Sequence, residues 1–204
     1  MYRLIVLLLL PALAFTQEEK TYATEEETRA VFDAVPRVEN QYEYSEIIQM
    51  DSSHTKDILY RNAKLFFAYI SKSSKDVLQY DERNEGKIIG KVTFQVKDHQ
   101  NVLLSSFDEV RTTTFTLEIS CKDGRYRYRM FGFAFEYSYG ESDKRKAERF
   151  TTGTLNFDEA FERTGKGSTK KMERNLFVNT VNEIKSTQNQ LKEFMRRPSS
   201  KDEF

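Results

Sequence analysis

Residues 112–137 read TTTFTLEISCKDGRYRYRMFGFAFEY, and the alternation in this stretch decides the fold. Asp123-Gly124 is a dipeptide preferred in two-residue type I′ hairpin turns. Such a turn pairs Lys122 with Arg125, Cys121 with Tyr126, Ile119 with Tyr128 and Leu117 with Met130, which gives one apolar face that Phe115 joins. The other face carries Thr116, Glu118, Ser120, Arg127, Arg129 and Phe131, with Glu118 directly across from Arg129. Beyond Met130 the parity slips, because Phe133, Phe135 and Tyr137 fall on the opposite phase. A bulge near Phe131-Gly132 would return those rings to the apolar side, since one extra residue inverts the facing of everything after it.

Working outward, Lys87–Val96 alternates through Ile88, Gly90, Val92, Phe94 and Val96, and Val77–Asp81 precedes it across a turn at Asn84-Glu85-Gly86. Asp98–Glu109 is polar and reads as a loop. Upstream, Gln41–Met50 is strand-like, and Ile58, Leu59, Ala63, Phe66, Phe67 and Ile70 recur at helical spacing after the capping side chains of Asp51–Thr55. A terminal helix is expected from Thr169 to about Arg196, stopped by Pro198. Residues 138–168, rich in Gly, Ser and Thr, read as a long insertion whose scattered aromatics either stay local or cover a sheet face.

The resulting order, β-α-β-β-β-β-α, brings a resemblance into view. DSSHTKDILYRNAKLFF at 51–67, SSKDVLQYDERNEGKIIGKV at 73–92 and KDGRYRYR at 122–129, followed by Phe133 and Tyr137, resemble an exported bacterial family, domain-of-unknown-function family 4468, whose fold is similar to the TATA-box-binding protein. The resemblance spans roughly 41–137 plus the terminal helix. It implies an α+β, TBP-like domain: a curved, five-stranded antiparallel sheet with two helices on one face and the other face open. It implies no activity, and likeness to a DNA-binding fold transmits no function.

The chain has 204 residues, with Lys+Arg and Asp+Glu balanced at 32 each. Met1–Thr16 carries Arg3 and then an apolar run from Leu4 to Phe15, the pattern of a secretory signal peptide, with cleavage expected before Gln17 and Ala12-Leu13-Ala14 as the competing site. As a helix that run is about 18 Å long, too short for a bilayer core of about 30 Å, so no membrane insertion is expected after its removal. The expected mature chain has 188 residues and a net charge of −1. Residues 17–40 form an acidic arm in which Thr24-Glu-Glu-Glu27 fits a capping box, 41–196 form the domain, and 197–204 form a tail. Arm and leader removed, the body is modestly basic, which near-neutrality of the whole conceals.

Chemistry is sparse. A single cysteine excludes an internal disulfide and any zinc site needing two thiolates, and alternation places Cys121 in the core. His54 and His99 lack an evident nucleophile partner. Thr164-Gly-Lys-Gly-Ser-Thr169 superficially resembles a phosphate loop, but Ala160 stands where that motif needs glycine. Around Asp81-Glu82, Arg83 occupies a position where a calcium loop needs oxygen. No cofactor or metal is expected.

Arg125, Arg127 and Arg129 interleave with Tyr126 and Tyr128, but alternation sends cations and rings to opposite faces, so a nucleic-acid platform using both is not expected. The reading these residues favour is a noncatalytic exported module, periplasmic or secreted, that binds through its exposed sheet face. Arg127, Arg129, Glu118, Lys91 and Phe131 would form the site, with Lys87, Ile89, Thr93 and Thr116 beside them. Its partner would be a protein, a glycan or a second copy. The alternative is a cell-envelope hydrolase or lyase using the carboxylates of Asp81, Glu82 and Glu85.

Overall fold

The computed structural model describes residues 22–70, 78–102, 105–141, 150–167 and 170–198. The leader expected at 1–16 and the tail from 199 lie outside these residues. Helix α1 (Glu25–Asp33) is followed by strands β1 (Arg37–Val38) and β2 (Gln41–Gln49), then helix α2 (Lys56–Ile70). Strands β3 (Leu78–Glu82), β4 (Lys87–Val102), β5 (Ser105–Lys122), β6 (Arg125–Glu141) and β7 (Phe150–Leu155) come next. Short helix α3 (Phe157–Glu162) and long helix α4 (Lys170–Met195) complete the fold.

All strand pairs are antiparallel, in the order β1-β2-β6-β5-β4-β3, with β7 pairing the distal part of β6 beyond the end of β2. The expected α+β architecture, an antiparallel sheet with helices packed on it, stands, but the sheet has seven strands rather than five. Two short segments account for the difference. Glu39 and Asn40, at φ 48° and 67°, turn Val38 back onto Gln41 and create β1, and part of the expected insertion pairs with β6 as β7. The expected polar loop at Asp98–Glu109 is instead the distal part of the β4–β5 hairpin, where Asp98 pairs with Glu109.

The central hairpin has the expected register from Lys122↔Arg125 to Thr116↔Phe131. Its turn is not type I′, which needs positive φ at both central residues; Gly124 alone has it, at 67°. The ladder then shifts, Thr114 pairing with Ala134, so β6 carries one extra residue, and Gly132 at φ 65° absorbs it. That bulge turns Phe135 and Tyr137 into the core, and Phe133 packs against its edge.

Helices α2 and α4 cover one face of the sheet. Leu59, Ala63, Phe66 and Phe67 of α2 and Phe177, Val181, Ile184 and Leu191 of α4 bury against Ile88, Phe115, Leu117, Ile119, Tyr126 and Met130. Each large side chain so buried contributes about 1.5–3 kcal/mol before conformational entropy is offset. Thr24 makes the expected capping box with Glu27, and the acidic segment is no free arm over its described part: Ala23 N–H donates to Asn175 Oδ1 at 2.7 Å and Phe32 stacks on Phe161 at 4.0 Å. Phe157 and Phe161 join the same cluster, so these two rings of the insertion pack on the helix side, and no described element packs over the other sheet face.

Candidate binding face

Register alone lays out the uncovered face as rows running across four strands. Nearest the β5–β6 turn lie Lys122, Arg125 and Gln49. The next row is Lys87, Ser120, Arg127 and Ile47, and the third is Ile89, Glu118, Arg129 and Ser45. The fourth is Lys91, Thr116, Phe131 and Glu43. Farther out, Thr93 and Thr114 share a hydroxyl hydrogen bond at 3.0 Å, and Gln95 Nε2 donates to Thr112 Oγ1 at 3.2 Å.

All five residues expected to bind lie on this face, yet three of them, Arg127, Arg129 and Glu118, are engaged in ion pairs within it. Glu118 pairs not with Arg129, its cross-strand neighbour, but with Arg127 at 3.3 Å and Lys87 at 3.5 Å. Arg129 reaches β2, donating from Nε and Nη2 to Glu43 at 2.8 and 2.6 Å, and its guanidinium lies over Phe131 at 4.9 Å. Those hydrogen bonds hold the Glu43 carboxyl below its ordinary value and raise Arg129. Glu43 and Glu118 are both buried at the base of these contacts. Arg129 is therefore chiefly a fastener between β6 and β2, while Lys91 is exposed.

The sequence reading missed Lys122, Arg125 and Ile47. With Lys87, Arg127 and Ser120 they line a concavity of about 420 Å³ in the first two rows. Ile47 is 61% exposed in its wall, Glu85 at the rim accepts from Tyr80 O–H at 2.8 Å, and among the described residues Lys122 and Arg125 have no ion-pair partner. The parity of Arg125 with Arg127 and Arg129 was a visible signal. Ile47 had none, because its place depends on β2 docking beside β6.

The carboxylates of the alternative reading do not converge. Asp81 faces α2, where burial works to raise its carboxyl but the bonds from Lys64 Nζ, at 2.8 Å, and Tyr60 O–H outweigh that and hold it low. Glu82 accepts from Asn84 N–H in the turn, and Glu85 accepts from Tyr80. In the groove of about 1170 Å³ between α2 and β3 that Asp81 lines, Asp81 is paired with Lys64 and Arg83 with Asp57.

His54 is buried in the corner where the β5–β6 turn meets the end of α4: Nδ1 lies 3.0 Å from Asp51 Oδ1 and Nε2 lies 3.3 Å from Arg196 O. His99 sits on β4 twelve residues beyond Lys87, about 40 Å along the strand from that corner. Cys121 is 1% exposed, and burial pushes its thiol up to about 12. The carbonyls of Thr164 and Gly165 accept from Arg174 Nη1, so part of the glycine-rich loop's backbone is committed to the fold.

Residues 44–136, from β2 to β6, match the model of a family described as a domain of unknown function (DUF4468) with TBP-like fold. The structure is similar to that of a DUF4468 family protein from Bacteroides ovatus, with a TM-score of 0.51 and 16% identity over 86% of this chain and 98% of that one. It is likewise similar to a TBP-like protein from Parabacteroides distasonis, with a TM-score of 0.51 and 13% identity over 81% of this chain and 99% of that one. No curated protein matches.

Proposed function

From a chain that carries this family's sheet, with no activity assigned to it, we propose an exported, noncatalytic binding module that uses its uncovered sheet face. The observation that carries the reading is the contrast between the two faces. Two helices bury one of them, while on the other Ile47 and Lys91 stay exposed beside cations and no described element packs over them. A sheet face of this kind is normally solvated and alternating; a concavity that adds unpaired cations and an exposed aliphatic residue to that pattern supports contact with another molecule. Export rests on the leader at Met1–Thr16.

Site-specific photo-crosslinking tests the face. A photoreactive residue at Lys91 should form adducts in producing cells, and the same group at exposed Glu193 on α4 should not. Adducts at Glu193 alone would move the binding surface to the helices. Amino-terminal sequencing of the protein recovered from envelope or medium should begin at Gln17; recovery from the cytosol alone, with Met1 retained, would overturn export.

A further inference from the structure

The cations of the open face are not equivalent. In the third and fourth rows Arg129 is spent on Glu43, and in the second row Lys87 and Arg127 share Glu118. Lys122 and Arg125, side by side in the first row, have no ion-pair partner among the described residues. The concavity therefore holds a local excess of positive charge, and its guanidinium forks offer planar geometry suited to oxyanions.

Its wall narrows the choice of oxyanion carrier. Ile47, directly opposite Arg127, is aliphatic and 61% exposed. Saccharides and nucleobases are gripped best by exposed aromatic faces, whereas the ring of Tyr126, which borders the concavity, belongs to the opposite face and is 1% exposed. Cations around an exposed aliphatic side chain complement a peptide that alternates carboxylates with an apolar residue.

We propose that this basin docks an acidic segment of a partner protein, with carboxylates on Lys122, Arg125 and Arg127 and an aliphatic side chain against Ile47. This rests on the open-face reading above and names the class of partner for it. The steering component is long-range and screened by salt; the Ile47 contact is not.

Fluorescence anisotropy with the full chain tests it, using as probe a labelled eight-residue peptide alternating Glu and Leu. Affinity should fall as salt rises, and Lys122→Glu with Arg125→Glu should weaken it by about tenfold or more. A matched double reversal on exposed positions of α4, Lys171→Glu with Lys185→Glu, should leave it within about threefold. Ile47→Thr should weaken the Glu-Leu peptide but not a Glu-Ser peptide of equal length, a readout that does not depend on the charge reversals folding.

Equal affinity of wild type and the basin double variant for the peptide would overturn the assignment. So would binding of heparin or single-stranded DNA in place of the peptide, or a sedimentation dimer that dissociates on basin reversal, since each gives the basin a different occupant. If the peptide fails while crosslinks persist at Lys91, the acidic class fails and the binding face survives; loss of both removes the face as well.

Discussion

Arg111, a fully buried residue of β5, donates from Nη2 to Glu173 of α4 at 2.8 Å. Arg163 reaches the other oxygen of the same carboxylate at 2.9 and 2.6 Å, and both guanidinium carbons lie over the Tyr137 ring, each 4.3 Å from its centroid. A helix is thereby locked to the distal sheet by a charge cluster where the proximal sheet uses apolar packing. Burial pushes the Arg111 pKa down and the Tyr137 pKa up, as desolvation of charged forms requires.

Removing the shared carboxylate should hurt most. Glu173→Gln removes the hydrogen-bonded carboxylate of buried Arg111 and leaves Glu109 as the other negative charge acting on it, so a loss of about 3–5 kcal/mol is expected in urea denaturation. Glu173→Leu combined with Arg111→Met should cost less than the sum of the single changes, by a coupling of about 0.5–3 kcal/mol. Additive losses would show that the pair does not act as a unit.

Two glycines with nearly the same φ should respond differently. At Gly86, φ 67°, an added Cβ would lie 2.5 Å from the Cys121 carbonyl oxygen, which is backbone and cannot step aside. At Gly132, φ 65°, the nearest atom would be Thr116 Oγ1 at 3.8 Å, an ordinary contact. Gly132→Ala should therefore cost about 1 kcal/mol of conformational strain, and Gly86→Ala at least about 2 kcal/mol because steric displacement adds to it. Equal thermal shifts for the two variants would contradict this.

These contrasts also mark what was legible in the sequence. The register of β5 and β6, the bulge at Gly132 and the core place of Cys121 could be read because a two-residue turn fixes pairing locally. Two other relationships were illegible for one common reason. The core-side positions Asp98 and Glu109 bound the stretch that reads as loop, and Arg111 and Thr113 continue the break in apolar alternation, since Arg111 finds Glu173 only 62 residues later. Likewise Glu43 and Ile47 acquire their roles only when β2 docks on β6, a pairing across 86 residues between Glu43 and Arg129.

The corner at His54 gives stability a defined acid limb. Hydrogen bonds from the Ser53 hydroxyl, from His54 and from Ser53 N–H hold the Asp51 pKa down, from 3.8 to about 2. A depressed folded-state value means that the stabilisation is fully present above the ordinary value and disappears as pH falls through the folded one. Asp51→Asn should thus be less stable than wild type at pH 6, and the two stability curves should converge between about pH 3.8 and 2. Parallel curves in chemical denaturation across that range would show that Asp51 is not anchored in this way.

Cys121 offers a direct probe of whether the hairpin core opens. It pairs with Tyr126 across the strands, its N–H donates to Gly86 O at 2.8 Å, and its thiol is pushed up to about 12 by burial. At pH 8 the thiolate needed for attack is therefore scarce as well as inaccessible. A thiol reagent should label the native chain only as fast as the core unfolds, with rates rising steeply in urea, and denatured chain should react at once. Cys121→Ser should lower stability by about 1–3 kcal/mol by burying a hydroxyl, whereas Cys121→Ala should lose only packing. Rapid labelling at zero urea would mean that the β5–β6 hairpin opens locally, and the rows of the binding face, which depend on that register, would open with it.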